Sequence, residues 1–219
     1  MIRINTTTLA CIFNYPEMVD RQTLVEYLEE NGFKRIGPMK EDLITESGRP
    51  VGEIVQEPHI VAHKEDEDID VIYNNRALLI GFPSSSFITV IGTKFERVME
   101  NFEIIYNFLK DKDLISDISL YEATFTGFIE SKGISSRIPE FFILEKLEGF
   151  NELFQESEPV GFRLRGVNPS SPGWFDLHLD SAITRNPNLC FLRFILRYDD
   201  YKKYKNFPDT IKKIVEVLG

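Results

Sequence analysis

From Lys94 onward the hydrophobic period of this chain changes. Phe95, Val98, Met99, Phe102, Ile105, Tyr106 and Leu109 recur at i, i+3, i+4 and i+7, the signature of one apolar face on a long helix. That helix is expected to stop near Lys110-Asp111-Lys112-Asp113. On either side of it, short apolar stretches are separated by connections of hairpin length. Parallel crossovers need a dozen residues or more, so most of these strands are expected to pair antiparallel.

Before the helix, Leu9–Phe13 reads as a strand ending at Asn14-Tyr15-Pro16. Asp20 can cap a short helix carrying Leu24, Val25 and Leu28, which Asn31-Gly32 stops. Extended segments follow at Phe33–Ile36, Asp42–Thr45 and Val51–Gln56, the last two flanking Glu46-Ser47-Gly48-Arg49-Pro50. A strand at Ile69–Tyr73 is expected to turn at Asn74-Asn75. Another at Ala77–Phe82 is expected to turn at Pro83-Ser84-Ser85-Ser86 into Phe87–Ile91.

After the helix the order starts again. A long strand is expected over Ile118–Ile129, then a helix opened by Pro139, holding Phe142, Ile143 and Leu147 and ended by Gly149. Strands at Val160–Val167, Trp174–Leu179 and Leu189–Tyr198 are separated by runs rich in Asn, Pro, Ser and Gly. A last helix opens at Pro208, with Ile211, Ile214, Val215 and Leu218 on its buried face. The expectation is an α+β fold with two similar β-α-β(n)-α halves, residues 1–112 and 113–219, on a mainly antiparallel sheet. No residue-level repeat accompanies that order.

The stretch ALLIGFPSSSFITVIGTKFERVMENFEIIYNFL, residues 77–109, runs strand, Ser-bearing turn, strand ending near Gly92-Thr93-Lys94, then long amphipathic helix. It resembles the close of one repeat of the saddle-shaped TATA-box-binding protein family, whose element order is also β-α-several β-α taken twice. The resemblance implies one sheet built from two like halves. It departs from the family in the second half, where RYDDYKKYKNFPD stands in place of a recurring Gly-x-Lys turn. The family's paired wedge phenylalanines, which kink DNA from the minor groove, have no counterpart that can be placed here. TATA-box function is not implied.

The composition, 42% hydrophobic and 27% charged over 219 residues, is that of an ordinary soluble globular protein. The longest apolar runs are only several residues, as at Ala77–Ile80, far below the ~20 needed to span a bilayer. The N-terminal residues lack the apolar stretch and cleavage site of a signal peptide, and no membrane association is expected. Cys11 and Cys190 stand alone, which fits a reducing cytoplasm better than a disulfide scaffold. A net charge of −10 argues against nucleic acid as a partner, since phosphate neutralisation needs clustered Lys and Arg. The charge is unevenly spread. Residues 1–158 hold 15 Lys and Arg against 29 Asp and Glu, a balance of −14, whereas residues 159–219 hold 10 against 6, a balance of +4.

The basic segment contains WFDLHLD. On a strand, Trp174, Asp176, His178 and Asp180 share one face, and Phe175, Leu177 and Leu179 share the other, which must be the core face. The flanking strands divide alike: Arg163 and Arg165 oppose Phe162 and Leu164, and Arg193 and Arg197 oppose Cys190, Leu192 and Phe194. If the three strands are neighbours, the non-core face gathers four arginines around two aspartates and a histidine. Cross-strand ion pairs are the plain expectation, each worth about 0.2–1 kcal/mol. The functional one is a surface for an anion or an acidic partner, because guanidinium pairs bidentately with carboxylate or phosphate. Its candidate ligand-binding residues are Arg163, Arg165, Arg193, Arg197 and Trp174.

Asp176, His178 and Asp180 are also a candidate metal set, and through it a metal-assisted hydrolase. Alternate strand residues lie roughly 6.5–7 Å apart, however, and the arginines would repel a cation. His59-x-x-x-His63 has helical metal-site spacing, but Pro58 and neighbouring strands oppose a helix, so a chance surface pair is expected. Ser84–Ser86 lack the GxSxG elbow, and no Walker A loop or GxGxxG fingerprint occurs, so no cofactor is expected and no catalytic residue is assigned. In RYDDYKKYKNF, residues 197–207, buried tyrosine rings with lysine heads in water are expected, the alternative being a sticky aromatic patch for protein or single strands. The sequence therefore points to a binding or interaction protein holding an unidentified protein or an anionic ligand. A hydrolase and a nucleic-acid-binding module are the competing classes.

Overall fold

The computed structural model describes residues 1–37, 39–44, 50–56, 59–130, 132–142, 159–181, 186 and 188–218, with the two strands between 39 and 56 described by their backbone alone. The fold is α+β, as expected, and all its strand pairs are antiparallel. The strands are β1 (Ile2–Phe13), β2 (Lys34–Arg35), β3 (Met39–Ile44), β4 (Pro50–Gln56), β5 (Ile60–Lys64), β6 (Ile69–Leu79), β7 (Phe82–Gly92), β8 (Ile118–Glu130), β9 (Gly161–Arg165), β10 (Phe175–Asp180) and β11 (Leu189–Tyr198). The helices are α1 (Arg21–Glu30), α2 (Phe95–Asp111), the single turn α3 (Ile134–Arg137) and α4 (Phe207–Leu218).

Nine strands form one sheet in the order β2-β5-β6-β7-β1-β8-β11-β10-β9, and β3 pairs with β4 in a separate hairpin. β1 and β8 therefore meet at the centre, and the strand preceding each long C-terminal segment, β7 or β11, lies directly beside them. One sheet face carries Leu9, Cys11 and Phe13 of β1, Ile88 and Val90 of β7, Tyr121, Ala123 and Phe125 of β8, and Leu192 and Phe194 of β11. The helices bury their apolar faces there: Leu24, Val25 and Leu28 of α1, Val98, Phe102, Ile105, Phe108 and Leu109 of α2, Phe207, Ile211 and Leu218 of α4. Truncating one such ring, Phe102 for instance, should cost about 3–5 kcal/mol. Among the described residues no helix is long and apolar enough to cross a membrane.

Local signals act as their chemistry requires. The Asp20 carboxylate accepts the Thr23 N–H at 2.7 Å and caps α1, and Gly32, with φ at +85°, takes the left-handed turn after it. Three expectations need correction. β1 starts at Ile2 rather than Leu9, because Ile2 and Ile4 also pack on the core. Asn74-Asn75 is an irregularity inside β6 rather than a turn. The turn falls at Ile80-Gly81, where Gly81 has φ +85°, so Pro83–Ser86 lie within β7. Pro139 sits in a short 3-10 turn, Ile138–Phe141, following α3, and the expected helical positions Ile143, Leu147 and Gly149 lie outside the described residues. So do residues 46–49 of the turn expected before Val51.

The basic, tyrosine-rich stretch forms a 3-10 turn, Tyr201–Asn206, ahead of α4. Tyr201 and Tyr204 are buried, while Lys202, Lys203 and Lys205 are exposed. Tyr204 shares a 2.7 Å hydrogen bond with Thr7 inside the core. The acidic run Glu65-Asp66-Glu67-Asp68 makes the β5–β6 turn and is tied down by ion pairs from Glu65 to Lys34 and from Glu67 to Lys64, both at 2.7 Å.

Candidate ligand-binding face

Among the described residues no helix packs on the opposite face of the sheet, and the candidate side chains of the C-terminal strands lie there. Register fixes how they meet. Arg163 of β9, His178 of β10, Arg193 of β11, Thr126 of β8 and Thr6 of β1 form one row across the sheet. Arg165, Asp176, Ile195, Thr124 and Thr8 form the next, and Arg197, Glu122, Ala10 and Thr89 the one after.

Two of the four arginines are engaged. Arg163 closes diagonally on Asp176, its Nε donating to Oδ1 at 2.7 Å and its second nitrogen to Oδ2. The Asp176 side chain is only 5% exposed, and the Arg163 bonds hold its carboxyl below the usual carboxylate range, with Arg193 and Arg165 adding to the effect. Arg197 is 2% exposed. Its Nε and one terminal nitrogen each lie 2.8 Å from Glu122, and the other terminal nitrogen donates to the carbonyls of Ile80 and Pro169.

The Arg197 guanidinium also stacks over Trp174, 4.4 Å from the ring centre, and lies 5.2 Å from that of Phe82. Trp174 gives its indole N–H to the Gly166 carbonyl at 2.9 Å and is itself buried. Ser170 donates to the Gly81 carbonyl at 3.1 Å. Arg197 and Trp174 thus fasten the β6–β7 hairpin to the loop before β10, with every guanidinium nitrogen already bonded within the chain.

Arg193 and Arg165 stand differently. Both are exposed on strands, and among the described residues neither makes a hydrogen bond or ion pair. Arg193 borders a groove of about 290 Å³ that runs along β1 and β8. Thr6, Thr8, Thr124 and Thr126 line it, with Glu122 on its wall. None of these threonine hydroxyls is hydrogen-bonded among the described residues. Sequence reading missed this set. Its only trace there is the alternation of Thr124 with Thr126 on the strand expected over Ile118–Ile129; Thr6 and Thr8 lie ahead of the strand expected at Leu9–Phe13.

The proposed metal set does not converge. Asp176 is held by Arg163, the His178 ring sits edge-on to Phe191 with centres 6.2 Å apart, and among the described residues no three His, Cys, Asp or Glu side chains could hold an ion. His63 lies on β5, where its Nδ1 meets Asp70 at 2.7 Å, and His59 precedes that strand, so the pair has no helix to bring it together. Ser85 and Ser86 are buried in β7, Ser86 donating to the Tyr15 carbonyl at 2.9 Å. Burial pushes the Cys11 thiol up to about 12, far from a reactive thiolate. Compared with known proteins, the chain matches no family model and no curated sequence.

Proposed function

We propose that this protein is a cytoplasmic binding protein that holds an anionic ligand on the C-terminal half of the sheet face opposite α1, α2 and α4. One observation carries the reading: among the described residues Arg193 and Arg165 make no hydrogen bond or ion pair, they stand on neighbouring register rows of the sheet two strands apart, and Arg193 lies beside the Thr126 and Thr6 hydroxyls, which have no partner among the described residues. An anion placed there would meet charge-assisted donors without breaking an existing pair. Nucleic acid fits less well, because Asp176, Asp180 and Glu122 share the face and the net charge is −10. The sheet order, with β1 and β8 central and β7 and β11 beside them, supports reading the two halves as repeats of the TATA-box-binding-protein type. Fold alone would not supply that family's function.

The test is calorimetric titration with inorganic phosphate and simple carboxylates, using the wild-type chain and an Arg165→Gln/Arg193→Gln variant. Hydrogen bonds to charged groups contribute about 1.5–3 kcal/mol, so losing even one should weaken binding roughly tenfold or more. Equal affinity in the double variant would sink the reading. Arg163 is left intact, because removing it would strand the buried Asp176 carboxylate.

A further inference from the structure

The groove beside Arg193 changes character along its length. Its floor on β1 is Thr6, Thr8, Ala10 and Ile12, alternate residues that share the face opposite α1, α2 and α4 and span about 20 Å. At the Ile12 end, Ile12, Phe82 and Leu120 form a small apolar cluster of their own, with Leu79 and Phe87 packed against it. That end is closed by the β6–β7 hairpin, which Arg197 holds through the Ile80 carbonyl and Ser170 through the Gly81 carbonyl. At the other end Thr6 and Thr126 share a register row with Arg193, and Arg193 is exposed. Between them stands Glu122, whose charge is already met by Arg197. With the Arg197 donors already spent on Glu122 and on backbone carbonyls, the closed half offers an anion no free donor, so a negative group is sorted to Arg193 and an uncharged body to Ile12, Leu79 and Phe87.

We infer that the groove takes an amphipathic organic anion, an apolar body carrying one terminal carboxylate, with the body toward Ile12 and the carboxylate on Arg193 and the threonine hydroxyls. This rests on the anion-binding reading above and adds to it the chemistry of the rest of the ligand. A groove of about 290 Å³ lies at the small end of the ~300–1,000 Å³ range of ligand sites and suits a metabolite rather than a polymer.

The experiment is calorimetry on the full chain with a series of straight-chain carboxylates from acetate to decanoate, with decanol and inorganic phosphate as comparators. Affinity should rise up to about fourfold per added methylene while the apolar end fills. Decanoate should bind at least tenfold more tightly than decanol, acetate or phosphate. Arg193→Gln should remove the preference for decanoate over decanol, and Thr89→Phe, which narrows the groove, should flatten the chain-length series. The series in the unaltered protein decides the matter even if a variant fails to fold. Acetate or phosphate binding as tightly as decanoate, still dependent on Arg193, would overturn this inference and leave the anion-binding reading standing. Decanol binding as tightly as decanoate, indifferent to Arg193→Gln, would overturn both, as would no binding by any of them.

Discussion

Arg197→Met removes a charge that several separate parts of the fold share. In the wild type this side chain is 2% exposed and that of Glu122 is 18% exposed. Taking away the guanidinium leaves Glu122 without its partner, and the carbonyls of Ile80 and Pro169 without a donor. Removing one member of a buried ion pair costs about 3–5 kcal/mol, and the part-exposed Ile80 and Pro169 carbonyls, which water can reach, add less than the about 1–3 kcal/mol of a fully buried acceptor. These do not add fully. Glu122 keeps some access to water, and the methionine side chain still covers Trp174 and Phe82, so the expected loss is about 3–4 kcal/mol. Urea unfolding measures it, provided the m-value is unchanged. The companion Arg197→Met/Glu122→Gln should recover part of the loss, because no carboxylate is then left uncompensated. A single-variant loss below ~1 kcal/mol would refute the reasoning, since that is the worth of an exposed ion pair.

Other outcomes follow from the same geometry. Asp176 has its folded pKa lowered, chiefly by the Arg163 hydrogen bonds, so its contribution to stability is complete above the ordinary carboxylate pKa of ~3.9 and is lost as pH falls through the lower folded value. Melting temperature should therefore fall more steeply below about pH 4 in the wild type than in Asp176→Asn, and parallel curves would contradict this. Tyr204→Phe strands the buried Thr7 hydroxyl and should cost about 1–3 kcal/mol in chemical denaturation. Adding Thr7→Val should cost less than the sum of the two single changes. Gly127→Ala would drive a methyl group into the Arg3 carbonyl oxygen and toward the Phe125 ring, and should cost about 1–3 kcal/mol. Amide exchange should place the disruption at the β1–β8 pairing around Ile4, and undiminished protection there would tell against it.

Much of this molecule can be read from its chain because its period signals are local. The i, i+3, i+4 stripe of α2 and the alternation in FDLHLD each need only a few neighbouring residues to be visible. That Arg163, Arg165 and Arg193 would flank Asp176 and His178 follows from alternation plus hairpin connections. The diagonal choice of Arg163 for Asp176, against its register partner Arg165, does not, since it depends on side-chain reach. Arg197 is the clearest limit. Its alternation placed it on the right face, but its partners Glu122 and Ile80 lie 75 and 117 residues away, and nothing local distinguishes a surface guanidinium from a buried clamp. The groove was hidden for the same reason: β1 and β8 supply its floor from opposite halves of the chain.

A single irregularity in β1 decides which side chains that floor receives. Ile2 and Ile4 pack on the core, while Thr6, Thr8, Ala10 and Ile12, also even-numbered, face the groove. A regular strand cannot send all of them where they are, because its alternation is strict. The register shift between Ile4 and Thr6, opposite Gly127 and Thr126, inserts Asn5 as an extra residue and reverses the phase. Gly127 is the residue that lets the Arg3 backbone come close enough for this. With the bulge, two isoleucines stay in the core and Thr6 reaches the row of Arg193. Without it, either Ile2 and Ile4 would flank Arg193 in the groove mouth, or the threonines would turn into the core and leave the arginine without hydroxyl neighbours from β1. The hydroxyls that β1 sets beside Arg193 are thus a product of one inserted residue at the centre of the sheet, far in sequence from the arginine they neighbour.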